Sequence, residues 1–269
     1  MKVLLVGGGS GGHITPTLAV ATELRHKLPK AELVYVLGTG DKLQDMVQSH
    51  AAIDNVATVH SGKFRRYHGE GIKQLLDIPT LLKNIRDFFL VGLGFFESLI
   101  LLRREKPDVM LIKGGFVGVP VGLAAALLHI PFVTHDSDAV PGLANRIIAR
   151  WAKAHAVAMP KEVYSYPSDI TVQVGVPIAP TFRPVSPADQ AGFKKALKLD
   201  PKNPVLMITG GGLGAQRLNE AVARIAKTLI ARQPLLHILH IAGPGKKADL
   251  VTRYKKQLGT KAVQVIVEE

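Results

Sequence analysis

Four stretches of this chain combine residue types that can do chemistry: Gly7-Gly8-Gly9-Ser10-Gly11-Gly12-His13, Lys113-Gly114-Gly115-Phe116-Val117, His135-Asp136-Ser137-Asp138, and Gly210-Gly211-Gly212-Leu213-Gly214-Ala215. Glycines without a Cβ let a phosphate approach backbone N–H groups, and a helix following such a loop aims the positive end of its dipole at the same point. A phosphate or diphosphate is therefore expected above residues 10–13. Gly7, Gly9 and Gly12 also fit the dinucleotide pattern G-x-G-x-x-G, which is a weak signal alone. That reading lacks a clearly placed ribose-binding acid, because the second strand ends in Gly38-Thr39-Gly40 and only then reaches Asp41. It also leaves His13 unexplained, a titratable imidazole at the mouth of the loop.

The elements that must position these residues can be read from apolar periodicity. Val3-Leu4-Leu5-Val6, stopped by glycines and followed by an Ala/Leu-rich segment with Pro16 in its first turn, reads as strand, loop and helix, the opening of a Rossmann-like unit. A helix is expected over 19–28, a strand over 32–37, a helix over 42–50 and a strand over 56–59. Residues 72–102 are apolar at helical spacing; 88–102, broken by Gly92, Gly94 and Glu97, is too short to span a bilayer and is expected as a core helix on the sheet. Strand, glycine loop and helix recur over 109–128, and a strand over 132–134 leads into His135-Asp136-Ser137-Asp138 and a helix from Pro141. In an open parallel sheet ligands bind at the carboxyl ends of the strands, so the loops with His13, Gly114 and Asp136 are expected to converge. Further strands fall before Ala158 and over 171–174. A domain boundary is placed near Ile178, giving domains 1–178 and 179–269. The second starts with a charged helix over 190–198 and continues with strands at 204–209, 236–242 and 263–267 and helices at 217–231 and 248–257.

Composition narrows the function. The chain has 47% hydrophobic residues, ample for a core, and 34 basic against 21 acidic side chains, a net charge of +13. Such an excess suits nucleic acid, an anionic membrane or phosphorylated substrates. No nucleic-acid module or basic stripe interleaved with aromatics is present, so nucleic acid is not expected as a partner. With no cysteine there is no disulfide framework or thiolate nucleophile, and Met1-Lys2 leads straight into the first strand, so a cytoplasmic protein without a signal peptide is expected. Lys63, Arg65 and Arg66, with Leu75 and Leu76 nearby, form either an interfacial membrane patch or a solvated basic face.

Two Rossmann-like halves opening on glycine loops suggest an α/β fold of GT-B type, with the second domain truncated. Gly8-Gly9-Ser10-Gly11-Gly12-His13 with Pro16 and Leu18-Ala19-Val20-Ala21 resembles the first glycine loop of the MurG family, the N-acetylglucosaminyltransferases of peptidoglycan synthesis. Lys113-Gly114-Gly115-Phe116-Val117 with Pro120 resembles the second loop. His135-Asp136-Ser137-Asp138 with Pro141-Gly142-Leu143-Ala144-Asn145 is similar to the family's His-Glu-Ser-Asp segment, and Gly210 to Ala215 with Asn219 to its third loop.

The resemblance implies an inverting transfer of N-acetylglucosamine from UDP-N-acetylglucosamine to lipid I, the undecaprenyl-diphosphate-linked muramyl peptide, giving lipid II at the cytoplasmic face of the cell membrane. No tightly held metal or other cofactor is implied. Ser10, Gly11, Gly12, Gly114 and Gly115 would bind the acceptor diphosphate, and Ser137, Asp138 and Asn145 acceptor or donor. Gly211, Gly212, Leu213, Gly214, Ala215 and Asn219 would bind the donor. A base must take the acceptor hydroxyl proton, and either His13 or Asp136 can serve; their alternatives are a diphosphate-binding histidine and an aspartate capping the helix at Pro141.

Departures from the family pattern are Asp136 where Glu is usual, Gly175-Val176-Pro177-Ile178-Ala179 without the usual Arg, and Gly212 where Ser is usual. Family members continue for roughly another third of their length. Other readings are a transferase for another prenyl-diphosphate or lipid acceptor, or a non-catalytic lipid-diphosphate-binding protein completed by a partner chain.

Overall fold

The computed structural model describes residues 1–63 and 78–269. The chain divides into two compact units, Met1–Phe182 and Arg183–Glu269.

The first unit is built on seven parallel strands: β1 (Lys2–Gly7), β2 (Glu32–Gly38), β3 (Asn55–Val59), β4 (Val109–Gly114), β5 (Phe132–Asp136), β6 (Ala154–Val157) and β7 (Thr171–Gln173), in the order β3-β2-β1-β4-β5-β6-β7. β1 pairs with both β2 and β4, so the strand order reverses there and opens a crevice at the carboxyl ends of β1 and β4. Both sheet faces are covered, which is why the strands are continuous apolar runs. Leu4 and Val6 pack with Val34, Val36 and Ile112 under α3 (Ile78–Glu105) and α4 (Gly118–Leu127). Val3 and Leu5, pointing the other way, pack with Leu33, Tyr35 and Leu37 under α1 (Gly11–Lys27) and with Val47 of the short α2 (Gln44–Gln48).

Two local expectations change. α1 begins at Gly11 rather than Ala19, with Ser10 as N-cap, so Gly11, Gly12 and His13 form its first turn and Pro16 falls in the second. Pro16 has no amide to give the Gly12 carbonyl, and hydroxyls serve its neighbours: Thr15 donates to Gly11 O at 2.8 Å and Thr17 to His13 O at 2.7 Å.

α3 is not simply a core helix. Ser98, Leu99, Leu101 and Leu102 are buried, whereas Leu82, Ile85, Phe89, Leu93, Phe96 and Ile100 lie exposed at successive steps of three and four, which places them on one stripe. Nor do Gly94 and Glu97 interrupt the helix. A Cβ on Gly94 would fall on the His60 carbonyl, and Glu97 accepts from the His60 amide and pairs with its Nδ1, both at 2.7 Å. These residues seat α3 against the end of β3.

The second unit has parallel strands β8 (Val205–Thr209), β9 (His237–Ile241) and β10 (Val265–Glu268), in the order β10-β9-β8. A first helix, α6 (Pro187–Ala196), is capped by Ser186, whose hydroxyl accepts from Asp189 N. It follows α5 (Leu143–Ile148) of the first unit in chain order. Helices α7 (Gln216–Arg232) and α8 (Lys247–Leu258) bury Val222, Ala226, Ile230, Leu250 and Tyr254 against Ile208, Ile238 and Val267. On the opposite face Met207, Leu239 and Ile266 stand in register across the sheet, exposed or half-buried.

Candidate active site

A cavity of about 410 Å³ opens at the carboxyl ends of β1, β4 and β5, lined among others by Ser10, His13, Lys113, Gly115, Asp136 and Asn145. Gly12, Gly114, Ser137 and Asp138 also border it. The first and second glycine loops touch directly: Gly115 lies at φ +80°, and a Cβ there would collide with the Gly8 carbonyl. Asp41 is not left for a ribose. Its Oδ2 accepts from Gly9 N at 2.7 Å and its Oδ1 from Leu43 N at 3.0 Å, so it braces the first loop.

His13 is half-buried, with Nδ1 2.9 Å from Ser10 Oγ. Burial pushes its imidazole below the ordinary range and the nearby Lys113 ammonium pushes it further, while the Gly8 carbonyl, Asp138 and Asp136 pull the other way. The imidazole is therefore neutral at pH 7. Lys113, from the end of β4, is only 4% exposed and donates from Nζ to Ser137 Oγ at 2.8 Å. Burial lowers its pKa, opposed by Asp136 and Asp138.

Asp136 is 4% exposed and already occupied. Oδ1 accepts from Gly142 N at 3.1 Å, where α5 begins, and Oδ2 from the Tyr166 hydroxyl at 2.9 Å. The Tyr166 ring stacks on His155, whose Nδ1 lies 2.7 Å from Thr134 Oγ1. Tyr164, two residues earlier and stacked parallel to Tyr166, donates to Asp138 O at 2.9 Å. These tyrosines were missed in the sequence; their spacing of two on an extended segment, which sends both rings to one side, was the available signal.

Asn145 donates from Nδ2 to His135 O at 2.9 Å, and its Oδ1 is buried without a partner. His135 donates from Nε2 to Gly175 O at 3.0 Å, which ties the segment around Gly175 to the end of β5.

In the second unit the loop from Gly210 to Ala215 precedes α7, with Gly211 at φ +78° and Gly214 at φ +64°. A Cβ on Gly214 would meet the Ala242 carbonyl, so this loop is pressed against the one after β9. Gly212 and Leu213 are exposed, and Lys246 Nζ bonds to Leu213 O. Asn219, expected to bind the donor, holds its side chain within the unit. It is 2% exposed, donates to Ala242 O at 2.9 Å and accepts from His240 Nε2 at 3.1 Å, with His240 Nδ1 2.7 Å from the Tyr254 hydroxyl. It belongs to the core of the unit.

Of the basic patch, Lys63 stands over the Phe116 ring at 5.4 Å, whereas Arg65, Arg66, Leu75 and Leu76 lie outside the described residues. Among the described residues no cluster of His, Asp or Glu is arranged to hold a metal ion, and no helix is long and apolar enough to cross a membrane.

A Rossmann-type unit with a histidine-bearing glycine loop at its switch point, followed by a second parallel α/β unit opening on another glycine loop, is the element order of the GT-B fold class. The profile of the glycosyltransferase family 28 N-terminal domain matches residues 3–157 and that of the family 28 C-terminal domain residues 205–267. The chain belongs to glycosyltransferase family 28, and to the MurG family within it.

Among its relatives, a UDP-N-acetylglucosamine–N-acetylmuramyl-(pentapeptide) pyrophosphoryl-undecaprenol N-acetylglucosamine transferase of Clostridium kluyveri is 33% identical, over 93% of this chain and 65% of its own length. One of the same name from Clostridium botulinum is 32% identical, over 100% and 69%. The chain thus spans about two thirds of the length of these relatives. The crystal structure of Acinetobacter baumannii MurG is similar with a TM-score of 0.63 at 23% identity, covering 99% of this chain and 65% of that one. A UDP-GlcNAc 2-epimerase from Neisseria meningitidis, bound to UDP-GlcNAc, follows with a TM-score of 0.56 at 14% identity over 100% and 72%. At these identities the structures speak for the fold.

Proposed function

We propose that this chain acts in the transfer of N-acetylglucosamine from UDP-N-acetylglucosamine to the 4-hydroxyl of an undecaprenyl-diphosphate-linked N-acetylmuramyl-pentapeptide. The observation that carries the reading is His13, a half-buried imidazole held neutral at the opening of a glycine loop and sharing a cavity with the second loop. As the acceptor oxygen attacks the anomeric carbon, the neutral imidazole takes its proton and UDP leaves. Asp136 is the poorer base, since both its oxygens already accept hydrogen bonds; its role is to orient the loop and α5. Ser10, Gly11, Gly12, Gly114 and Gly115 would hold the acceptor diphosphate. The exposed loop Gly211 to Ala215, at the start of α7, would offer amides to the donor diphosphate.

A peripheral place on the cytoplasmic face of the membrane accompanies this reading. The exposed apolar stripe of α3, with Lys83 and Arg86 on the same helix, has the composition of an interfacial helix. The row Met207, Leu239 and Ile266 offers a partner chain or a further helix an apolar face on which to complete the second unit.

The test is transfer of radiolabelled N-acetylglucosamine from its UDP conjugate to a short-chain lipid I analogue. It is run with the 269-residue chain and with one continued by the C-terminal third of a relative. Transfer by the longer chain supports the reading, and absence of transfer from both overturns it.

A further inference from the structure

We infer that the Lys113 ammonium is an anion-binding group of the first unit's cavity, receiving a diphosphate oxygen of a prenyl-diphosphate ligand beside the two glycine loops. The inference rests on the transferase reading only for the identity of that ligand. An ammonium carries three protons to donate. Among the described residues Lys113 gives one of them to Ser137 Oγ, and no carboxylate oxygen lies within ion-pair distance of Nζ. Asp136, the nearest buried carboxylate in sequence, is turned to Tyr166 and Gly142. A largely buried ammonium whose nearest charges, Asp136 and Asp138, stand beyond ion-pair distance is costly to keep, and a ligand that supplies the opposite charge in direct contact offsets the cost.

Two further features of the same cavity point to a ligand. Ser10 makes no side-chain capping bond at the start of α1, so the first-turn amides, among them that of the cavity-lining Gly12, have no carboxylate or hydroxyl cap. On the lining of the same cavity, Asn145 Oδ1 is buried and unpartnered among the described residues, an acceptor that a hydroxyl or amide proton would satisfy. The lining thus holds a cationic donor in Lys113 and a free acceptor in Asn145. A diphosphate joined to a sugar bearing hydroxyl and amide groups satisfies both. The Lys113 charge also helps keep His13 neutral, against the pull of Asp138 and Asp136.

The test is calorimetry on the 269-residue chain at fixed ionic strength, with inorganic pyrophosphate, geranyl diphosphate and UDP as separate probes. Lys113→Met is compared with Lys30→Met, which removes the same charge from an exposed site. We expect Lys113→Met to weaken pyrophosphate and geranyl diphosphate at least tenfold, and Lys30→Met to stay within twofold of the parent. UDP binding should be unchanged by either. Loss of UDP binding to the same extent would assign the lysine to a nucleotide and overturn the inference, as would a parent chain that binds no pyrophosphate. If Lys113→Met fails to fold, the parent chain with 13C-labelled lysine still decides: the Lys113 Cε resonance must shift saturably with pyrophosphate, and an unmoved resonance overturns the proposal. Diphosphate binding through Lys113 without sugar transfer by the longer chain would sink the transferase reading alone.

Discussion

The hydroxyl of Tyr166 donates to Oδ2 of Asp136 at 2.9 Å while its ring lies flat on His155, centroids 3.9 Å apart. Burial, with Asp136 adding to it, pushes the phenol far above its ordinary range, so Tyr166 is a donor at any working pH. Asp136 thereby joins β5, the start of α5 and the segment before β7. Tyr166→Phe leaves Oδ2 buried without its donor. We expect a loss of about 1–3 kcal/mol in the stability of the first unit, read from urea unfolding; an unchanged midpoint would show that the bond contributes nothing.

His135 and His155 are buried and held neutral, with pKa values lowered mainly by desolvation. Below about pH 6.5 the unfolded chain takes up protons that the folded chain refuses, so stability rises with pH in this range and is lost on acidification. Each such histidine contributes a slope of up to about 1.4 kcal/mol per pH unit. His155→Phe should make the fall between pH 6.5 and 5 shallower in urea titrations, and an identical slope would refute the linkage.

If His13 is the base, His13→Ala in the longer, transfer-competent chain lowers kcat by about 10²–10⁴-fold with little change in the KM for acceptor. Asp136→Asn should cost less, because it removes an orienting group. The reverse ranking in initial-rate assays would return the role to Asp136.

Gly115→Ala places a methyl group on the Gly8 carbonyl at a backbone angle that L-residues avoid. We expect a loss of about 1–3 kcal/mol and weaker pyrophosphate binding, since the two loops would part. Gly40→Ala is the control: also at positive φ but facing open space, it should spare binding.

Phe89 and Phe96 are each about two thirds exposed on α3. Changing both to Asp should reduce partitioning onto phosphatidylglycerol vesicles at least tenfold while leaving the thermal midpoint within a few degrees. For the parent chain, added salt should weaken the same binding. Partitioning unaffected by the double change would place the membrane contact elsewhere.

Much of the architecture was legible from residue order alone. Runs such as Val3 to Val6, four apolar residues stopped by glycines, read as strands, and a glycine loop between such a run and the next helix marks the strand ends where ligands collect. The loops carrying His13, Gly114 and Asp136 could be expected to meet for that reason, and the motifs they carry identified the family. These are properties of neighbours along the chain, where propensity and periodicity act.

Contacts across the fold depend instead on register and packing. Gly94 and Glu97 read as interruptions of a core helix until the His60 carbonyl and amide lay against them. Asn219, matched to a donor loop by motif, reaches Ala242 O and His240 Nε2 with its amide, contacts that lie 23 and 21 residues away in the chain. Asp136 was one of two candidate bases in the sequence; only the fold brings Gly142 N and the Tyr166 hydroxyl to its two oxygens. A carboxylate's chemistry follows from which donors reach it, and only the folded chain brings those donors within 3 Å or so.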